Sequence, residues 1–138
     1  MTSHEPPSPR TRVLVVEDQP TVAQLIAEVL EADGHEVETV ANGLLALDKI
    51  EAQPYDLIIS DLRMPELDGV GLYREIKRRQ PALLSRFLFV SGTVDQPEYC
   101  RFLAESAVPI LAKPFALVDL LQLTRQVLSA HGPEPERT

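Results

Sequence analysis

The 138 residues fit one domain and give it enough material for a hydrophobic core. The 44% hydrophobic and 25% charged residues are near the globular average, which excludes collagen-like, coiled-coil and wholly disordered classes. The net charge of −8 argues against binding to nucleic acid or to anionic lipid, and the single cysteine, Cys100, favours a reducing, cytoplasmic location. We therefore expect no direct nucleic-acid binding and no membrane insertion.

Short apolar runs alternate with segments of helical periodicity along the middle of the chain. The predicted strands are Val13–Val16, Glu36–Val40, Leu57–Ile59, Phe87–Val90 and Val108–Ala112. The predicted helices are Pro20–Ala32, Asn42 (as the cap) to Ala52, Val70–Arg79, Asp95–Glu105 and Ala116–Ala130. The side chains expected inward on the last two helices are Tyr99, Phe102, Leu103, Leu117, Leu120, Leu121, Thr124 and Leu128. Proline and polar residues at both ends predict flexible tails over 1–10 and 131–138, around one domain at 11–130.

Four of the five predicted strands are continuous apolar runs, which is typical of strands buried on both faces of a parallel sheet. The second strand, Glu36–Val40, alternates polar and apolar residues and is expected at an edge. Five strand–helix pairs therefore predict an α/β fold with helices on both faces and right-handed crossovers. In such sheets, ligands bind beyond the carboxyl ends of the strands, where this sequence places polar side chains.

Three carboxylates are expected to converge at that edge, from Glu17 and Asp18 after the first strand and from Asp61 after the third. Like charges this close repel, and a hard divalent cation such as Mg²⁺ relieves the conflict through oxygen ligands. Asp61 stands alone at its strand end and can act as a nucleophile that carries a phosphoryl group. Lys113 and Ser91 follow two other strands and can neutralise or hydrogen-bond phosphoryl oxygens.

Four motifs in chain order carry a resemblance to a known family: Glu17-Asp18, the segment from Ser60-Asp61 to Asp68-Gly69, Ser91-Gly92, and Lys113-Pro114-Phe115. Thirty residues separate Asp61 from Ser91, and 22 separate Ser91 from Lys113. Over about residues 11–130, the chain resembles a response regulator receiver domain of two-component signal transduction. The resemblance implies the flavodoxin-like (βα)5 fold, doubly wound, with a parallel sheet in strand order 2-1-3-4-5.

The resemblance also implies a role for each motif residue. The implied Mg²⁺ ligands are the side chains of Glu17, Asp18 and Asp61 and the backbone carbonyl of Arg63. Asp61 is the implied phosphoacceptor, Ser91 the hydroxyl that responds to phosphorylation, and Lys113 the partner of the phosphoryl group. The bond between Lys113 and Pro114 is often cis in such proteins. The family usually has an aromatic residue three positions before the lysine, where this chain has Ile110, so the resemblance does not imply switching by an aromatic rotamer here.

These expectations describe a phosphoacceptor signalling domain rather than an enzyme acting on separate substrates. A histidine kinase or a histidine phosphotransfer protein is the expected donor, and a protein partner at the surface of helix 4, strand 5 and helix 5 is the expected target. The eight residues after Ala130 are proline, glutamate and other polar residues, and no output domain is expected in them. Output is therefore expected from a partner, from a longer parent chain, or by passing the phosphate on.

Three alternatives stay open. A receiver of a hybrid histidine kinase would relay the phosphate onward, which Ile110 and the missing output domain both favour. A Mg²⁺-dependent phosphohydrolase with an aspartyl-phosphate intermediate is disfavoured, because haloacid-dehalogenase-like enzymes place their nucleophile on the first strand. A docking module independent of phosphate is disfavoured because every acceptor part is present. A homodimer is also left open, since the docking faces also serve dimerisation.

Overall fold

The fold is one parallel sheet covered by helices. In the computed structural model, the chain is described over residues 11–92 and 96–130, so the predicted tails lie outside the described residues. The strands are β1 Arg12–Val16, β2 Glu36–Val40, β3 Leu57–Ser60, β4 Phe87–Ser91 and β5 Ile110–Ala112. The helices are α1 Pro20–Ala32, α2 Gly43–Ala52, α3 Gly69–Arg79, α4 Pro97–Ser106 and α5 Leu117–Ala130, with a 3₁₀ helix at Pro81–Arg86. All strand pairs are parallel and the order is β2-β1-β3-β4-β5, which confirms the predicted fold.

The two faces of the sheet bury separate apolar cores, because successive side chains of a strand point to opposite faces. In β1, Leu14 and Val16 join the core that also contains α2 and α3 side chains such as Leu47 and Leu72. Val13 and Val15 join the other core, beside α1 and α5. Burial on both faces explains why the inner strands read as unbroken apolar runs. Within the described residues, no helix combines the length and the apolarity needed to cross a membrane.

Local signals position the helices at the carboxyl ends of the strands. Pro20 occupies the first turn of α1, where its missing N–H costs nothing. The Asn42 side chain accepts a hydrogen bond from the Leu45 N–H at 2.9 Å, as predicted for the cap of α2. The Asp68 carboxylate accepts one from the Gly71 N–H at 2.8 Å and so caps α3.

Three details of the sequence prediction are wrong. Strand β5 begins at Ile110 rather than Val108, and the intervening Pro109 has no N–H with which to donate to a ladder. The 3₁₀ helix after α3 was not predicted. Leu117 was expected inward but is 42% exposed in the first turn of α5, while Val127, which was not chosen, is buried. Periodicity is ambiguous in so leucine-rich a helix, since several faces satisfy it.

Candidate functional site

Strand pairing brings the predicted acidic residues together at the carboxyl edge of the sheet. Val16 of β1 lies opposite Ser60 of β3, so Glu17 and Asp61 leave adjacent strands at the same level. The Asp61 N–H donates to the Val16 carbonyl at 3.0 Å, which extends the ladder one step beyond the strands. The convergence therefore follows from the register of two buried strands, and no loop conformation is needed to produce it.

The three predicted carboxylates form one cluster. Glu17, Asp18 and Asp61 each offer an oxygen, and these oxygens lie within 4.8 Å of one another. Glu17 and Asp61 are buried, at 4% and 8% exposure, whereas Asp18 is exposed. Two carboxylates of the cluster are thus buried, and the third, that of Asp18, faces solvent.

Lys113 reaches this cluster from β5. Its Nζ donates to Glu17 Oε1 at 2.8 Å and to Asp61 Oδ2 at 3.0 Å. The Lys113 N–H donates to the Ser91 carbonyl at 2.9 Å, so the β4–β5 ladder fixes where the side chain starts. The peptide bond from Lys113 to Pro114 is cis, as the resemblance implies.

The charges in the cluster do not balance. Burial raises the pKa of the Glu17 carboxyl; the hydrogen bond from Lys113 lowers it, and the Asp61 carboxylate raises it further. For Lys113, burial lowers the pKa of the ammonium, but hydrogen bonds to Glu17 and Asp61 outweigh burial and leave that pKa raised. One ammonium is therefore shared by two buried carboxylates, so burial and the Asp61 carboxylate keep the pKa of Glu17 raised although it is paired with Lys113.

The donor set fits a hard divalent cation. All three groups are carboxylates, which Mg²⁺ and Ca²⁺ prefer over nitrogen or sulfur ligands. The carboxylates of Glu17, Asp18 and Asp61 with the ammonium of Lys113 leave an excess of two negative charges. A divalent cation would neutralise that excess, so the residues present fit the metal that the sequence predicts.

The remaining predicted site residues lie at the same edge. Ser91 ends β4, is fully buried, and lies opposite Ala112, the residue before Lys113. The Arg63 N–H donates to Asp61 Oδ1 at 3.3 Å, and the Arg63 side chain is exposed. The metal-binding role of the Arg63 carbonyl and the phosphoryl contact of Ser91 stay predictions.

Sequence reasoning missed a close approach of α3 to the acidic cluster. A Cβ on Gly69 would overlap the Asp61 carbonyl oxygen and lie 2.9 Å from the Leu62 Cα, so a larger residue cannot take this position without a backbone shift. The Gly69 N–H donates to the Leu62 carbonyl at 2.8 Å. The Asp68-Gly69 pair was noted as part of a turn; its position eight residues after Asp61 did not reveal this contact.

Comparison with known proteins agrees with this geometry. The family model of the response regulator receiver domain matches residues 13–125, which is most of the chain. The transcriptional regulatory protein TcrA of Mycobacterium tuberculosis is 34% identical over 124 residues, covering 90% of this chain and 48% of TcrA. The chain therefore spans about half the length of that relative.

Two solved structures have the same fold. The signal receiver domain of a histidine kinase from Syntrophus aciditrophicus superposes with a TM-score of 0.81 at 32% identity, over 93% of this chain and 97% of that one. The receiver domain of the sensor histidine kinase PA1611 from Pseudomonas aeruginosa gives a TM-score of 0.78 at 28% identity, over 88% and 99%. The latter has a magnesium ion coordinated in its active-site cleft. Receiver domains are signalling domains rather than classical enzymes, and this chain belongs to the response regulator receiver domain family.

Proposed function

We propose that Asp61 accepts a phosphoryl group from the phosphohistidine of a histidine kinase or of a phosphotransfer protein. The observation that carries the proposal is the shared ammonium of Lys113, which bonds the predicted acceptor Asp61 and the predicted metal ligand Glu17 at 3.0 and 2.8 Å. This arrangement orients one oxygen of Asp61 and leaves the cluster short of positive charge. A divalent cation and a phosphoryl group together suit such a site, since phosphoryl transfer depends on positioning and charge neutralisation.

The chemistry requires one nucleophile and several positioning groups. An Asp61 oxygen attacks the phosphorus, the bond from phosphorus to the donor imidazole nitrogen breaks, and the imidazole leaves with the electron pair. Lys113 offsets charge on the phosphoryl oxygens, and the Ser91 hydroxyl donates to one of them. The Arg63 N–H, which already bonds Asp61 Oδ1, keeps the carboxylate oriented. Water later hydrolyses the acyl phosphate and regenerates the Asp61 carboxylate.

Glu17, Asp18, Asp61 and the Arg63 carbonyl would hold Mg²⁺. Bound there, the ion supplies positive charge that lowers the cost of bringing phosphoryl oxygens to an acidic site. The fit rests on three carboxylate oxygens within 4.8 Å of one another, and the magnesium in the related PA1611 receiver supports the choice of metal.

Phosphorylation adds roughly −1.5 to −2 charge, by analogy with other phosphorylated side chains, and draws Ser91 and Lys113 toward Asp61. Both residues lie at the start of loops that lead into α4 and α5. We infer that the surface formed by α4, β5 and α5 then changes its affinity for a protein partner. Leu117 and Val118, which are 42% and 59% exposed at the start of α5, supply apolar contact area on that surface.

Onward relay of the phosphate is a second candidate function. Both solved structures described above are receiver domains of histidine kinases, and this supports the relay role. Transfer of label from phosphorylated protein to a histidine phosphotransfer protein would favour relay. Phosphate-dependent capture of a partner without such transfer would favour the regulator role.

The direct test is labelling with acetyl phosphate and Mg²⁺. We expect the wild type to be labelled and Asp61→Asn to remain unlabelled. Asp48→Asn is the matched control, because Asp48 is an exposed carboxylate on α2 and should label like the wild type. Persistent labelling of Asp61→Asn would refute the acceptor assignment, and release of phosphate from added monoesters would revive the phosphohydrolase alternative.

A further inference from the structure

A tyrosine of α4 lines a cavity that also contains Asp18 of the acidic cluster. The cavity has a volume of about 440 Å³, and its lining includes Asp18, Arg63, Asp68 and Tyr99. Tyr99 belongs to the first turn of α4, the helix that follows the strand of Ser91. The proposed function gives this residue no role. Tyr99 nevertheless lines the cavity and belongs to α4, a helix of the inferred partner surface.

The two ends of the Tyr99 side chain meet different environments. The residue is only 6% exposed, and it packs in the core between the sheet and the helices of that face. Burial raises the pKa of the Tyr99 hydroxyl; the Asp68 carboxylate raises it further, and the Arg63 guanidinium lowers it. Tyr99 thus packs in the core and also lines the cavity beside the charged residues Arg63 and Asp68.

The next turn of α4 packs against a cluster of aromatic rings. Phe102 makes edge contacts with Tyr73 of α3, at a centroid distance of 5.1 Å, and with Phe89 of β4, at 5.8 Å. Phe89 in turn lies against Gly69, since a Cβ there would be 3.1 Å from its ring. Because residues three apart share a helix face, Tyr99 and Phe102 lie on the same side of α4 and pack against the same core.

Strand β5 has no aromatic ring that could connect the site to this core. Ile110 is half-buried and packs against the same core as Tyr99. An isoleucine side chain has no polar end that could respond to charge at the cavity. Among the described residues of α4 and β5, Tyr99 combines a buried ring with a place in the lining of the cavity.

We propose that Tyr99 is the positioning residue that couples the state of Asp61 to the placement of α4. This inference rests on the proposed function, because the signal is a phosphoryl group on Asp61. That group brings negative charge and acceptor oxygens beside Asp18, which lines the cavity, and Tyr99 and Arg63, which also line it, carry side-chain donors. The hydroxyl turns toward the new acceptors, and the buried ring carries the first turn of α4 with it.

The test compares two tyrosines that are equally buried. Tyr99→Phe removes only the hydroxyl, and Tyr55→Phe does the same at a position that is also 6% exposed and lies just before β3, at the far end of the sheet. Amide hydrogen exchange of α4 is measured with Mg²⁺, before and after adding beryllofluoride as a phosphoryl mimic. We expect a clear change in the wild type and in Tyr55→Phe, and loss of most of that change in Tyr99→Phe.

Labelling of Asp61 by acetyl phosphate, measured in parallel, separates this inference from the proposed function. If all three proteins are labelled and Tyr99→Phe keeps the full change in α4, the coupling role is overturned. Loss of labelling in Tyr99→Phe would also overturn it, because Tyr99 would then act on the acceptor itself. If the wild type is not labelled, the proposed function fails and the inference fails with it.

Discussion

Two glutamates of this protein have opposite electrostatic surroundings. Glu38, on the edge strand β2, accepts hydrogen bonds from Gln53 at 2.7 Å, from Lys49 at 3.4 Å and from the Tyr55 hydroxyl. The hydrogen bond from Tyr55 is the main reason that the pKa of Glu38 is lowered. Glu17 shares one ammonium with another carboxylate, and burial raises its pKa.

The difference separates a structural network from a functional one. Around Glu38 the donors outnumber the carboxylates, and the network ties β2 to the end of α2 and to the segment before β3. Around Glu17 the carboxylates outnumber the cation, so the folded protein keeps an electrostatic cost. Proteins retain such an electrostatic cost at sites where a bound ligand relieves it. A conflict of buried charges therefore indicates a binding site.

The largest expected effect comes from removing the shared cation. Lys113→Ala leaves two buried carboxylates facing each other, and we expect metal-free stability to fall by about 3 kcal/mol, as for other broken buried pairs. Mg²⁺ should restore part of the loss. Lys49→Ala is the control: Lys49 is 42% exposed, and exposed pairs contribute about 0–1 kcal/mol. Equal losses in both variants, measured by urea unfolding, would contradict the comparison.

Neutralising each glutamate in turn should change stability in opposite directions. Glu17→Gln relieves repulsion with Asp61, so the metal-free protein should gain about 1 kcal/mol at neutral pH while its Mg²⁺ affinity falls. Glu38→Gln replaces one acceptor oxygen of a donor-rich network with an NH2 donor and removes the negative charge, so it should destabilise the fold without changing Mg²⁺ affinity. Urea unfolding and Mg²⁺ titration of both variants check the pair; destabilisation by Glu17→Gln would count against the account.

Mg²⁺ affinity should depend on pH through Glu17. Its folded pKa lies above the ordinary value of 4.5, so the native state binds the proton more tightly than the unfolded chain does. Metal-free stability therefore declines as pH rises above 4.5 and through the raised pKa, and Mg²⁺ affinity weakens as pH falls through that same range. Titrations of the wild type and of Glu17→Gln at several pH values test this, since the variant should lose much of the dependence.

The smallest effect is expected at Tyr55. Tyr55→Phe removes one donor to Glu38, which keeps the other two, so a loss of about 1 kcal/mol or less is expected. Burial and the hydrogen bond to Glu38 raise the pKa of Tyr55 from 10.0 to about 12. The stabilisation is fully present below pH 10 and is lost as pH rises through 12, so the gap between wild type and Tyr55→Phe should close there. A gap that stays constant with alkaline pH would contradict this role.

The acidic cluster could be predicted from the sequence because a parallel sheet largely fixes the position of the residue that follows each strand. Glu17 and Asp61 follow buried strands whose apolar runs are unambiguous, and Lys113 follows the edge strand β5, whose end was predicted correctly although its start was not. Strand register then brings the three residues together. The strand order came from the family resemblance, and the structure confirms it.

Other features depended on contacts that periodicity cannot reveal. Leu117 fits the helical pattern of α5 but lies in a first turn with little packed over it. The raised pKa of Glu17 depends first on burial, and the lowered pKa of Glu38 depends on the Tyr55 donor that approaches from a distant segment. Tyr99 was predicted as an inward residue of α4, which its burial confirms, but its place on the wall of the cavity depends on how α4 packs beside Arg63 and Asp68.

The measurement that tests the central claim most directly is site mapping of the phosphoryl group. The wild-type protein is incubated with Mg²⁺ and a phosphohistidine donor or acetyl phosphate, reduced with borohydride to fix the acyl phosphate, and analysed by peptide mass spectrometry. The account predicts one modified side chain, Asp61, with modification that depends on Mg²⁺. Modification at Asp18 or Glu17 instead, or an unmodified Asp61 in protein that carries the label, would contradict it.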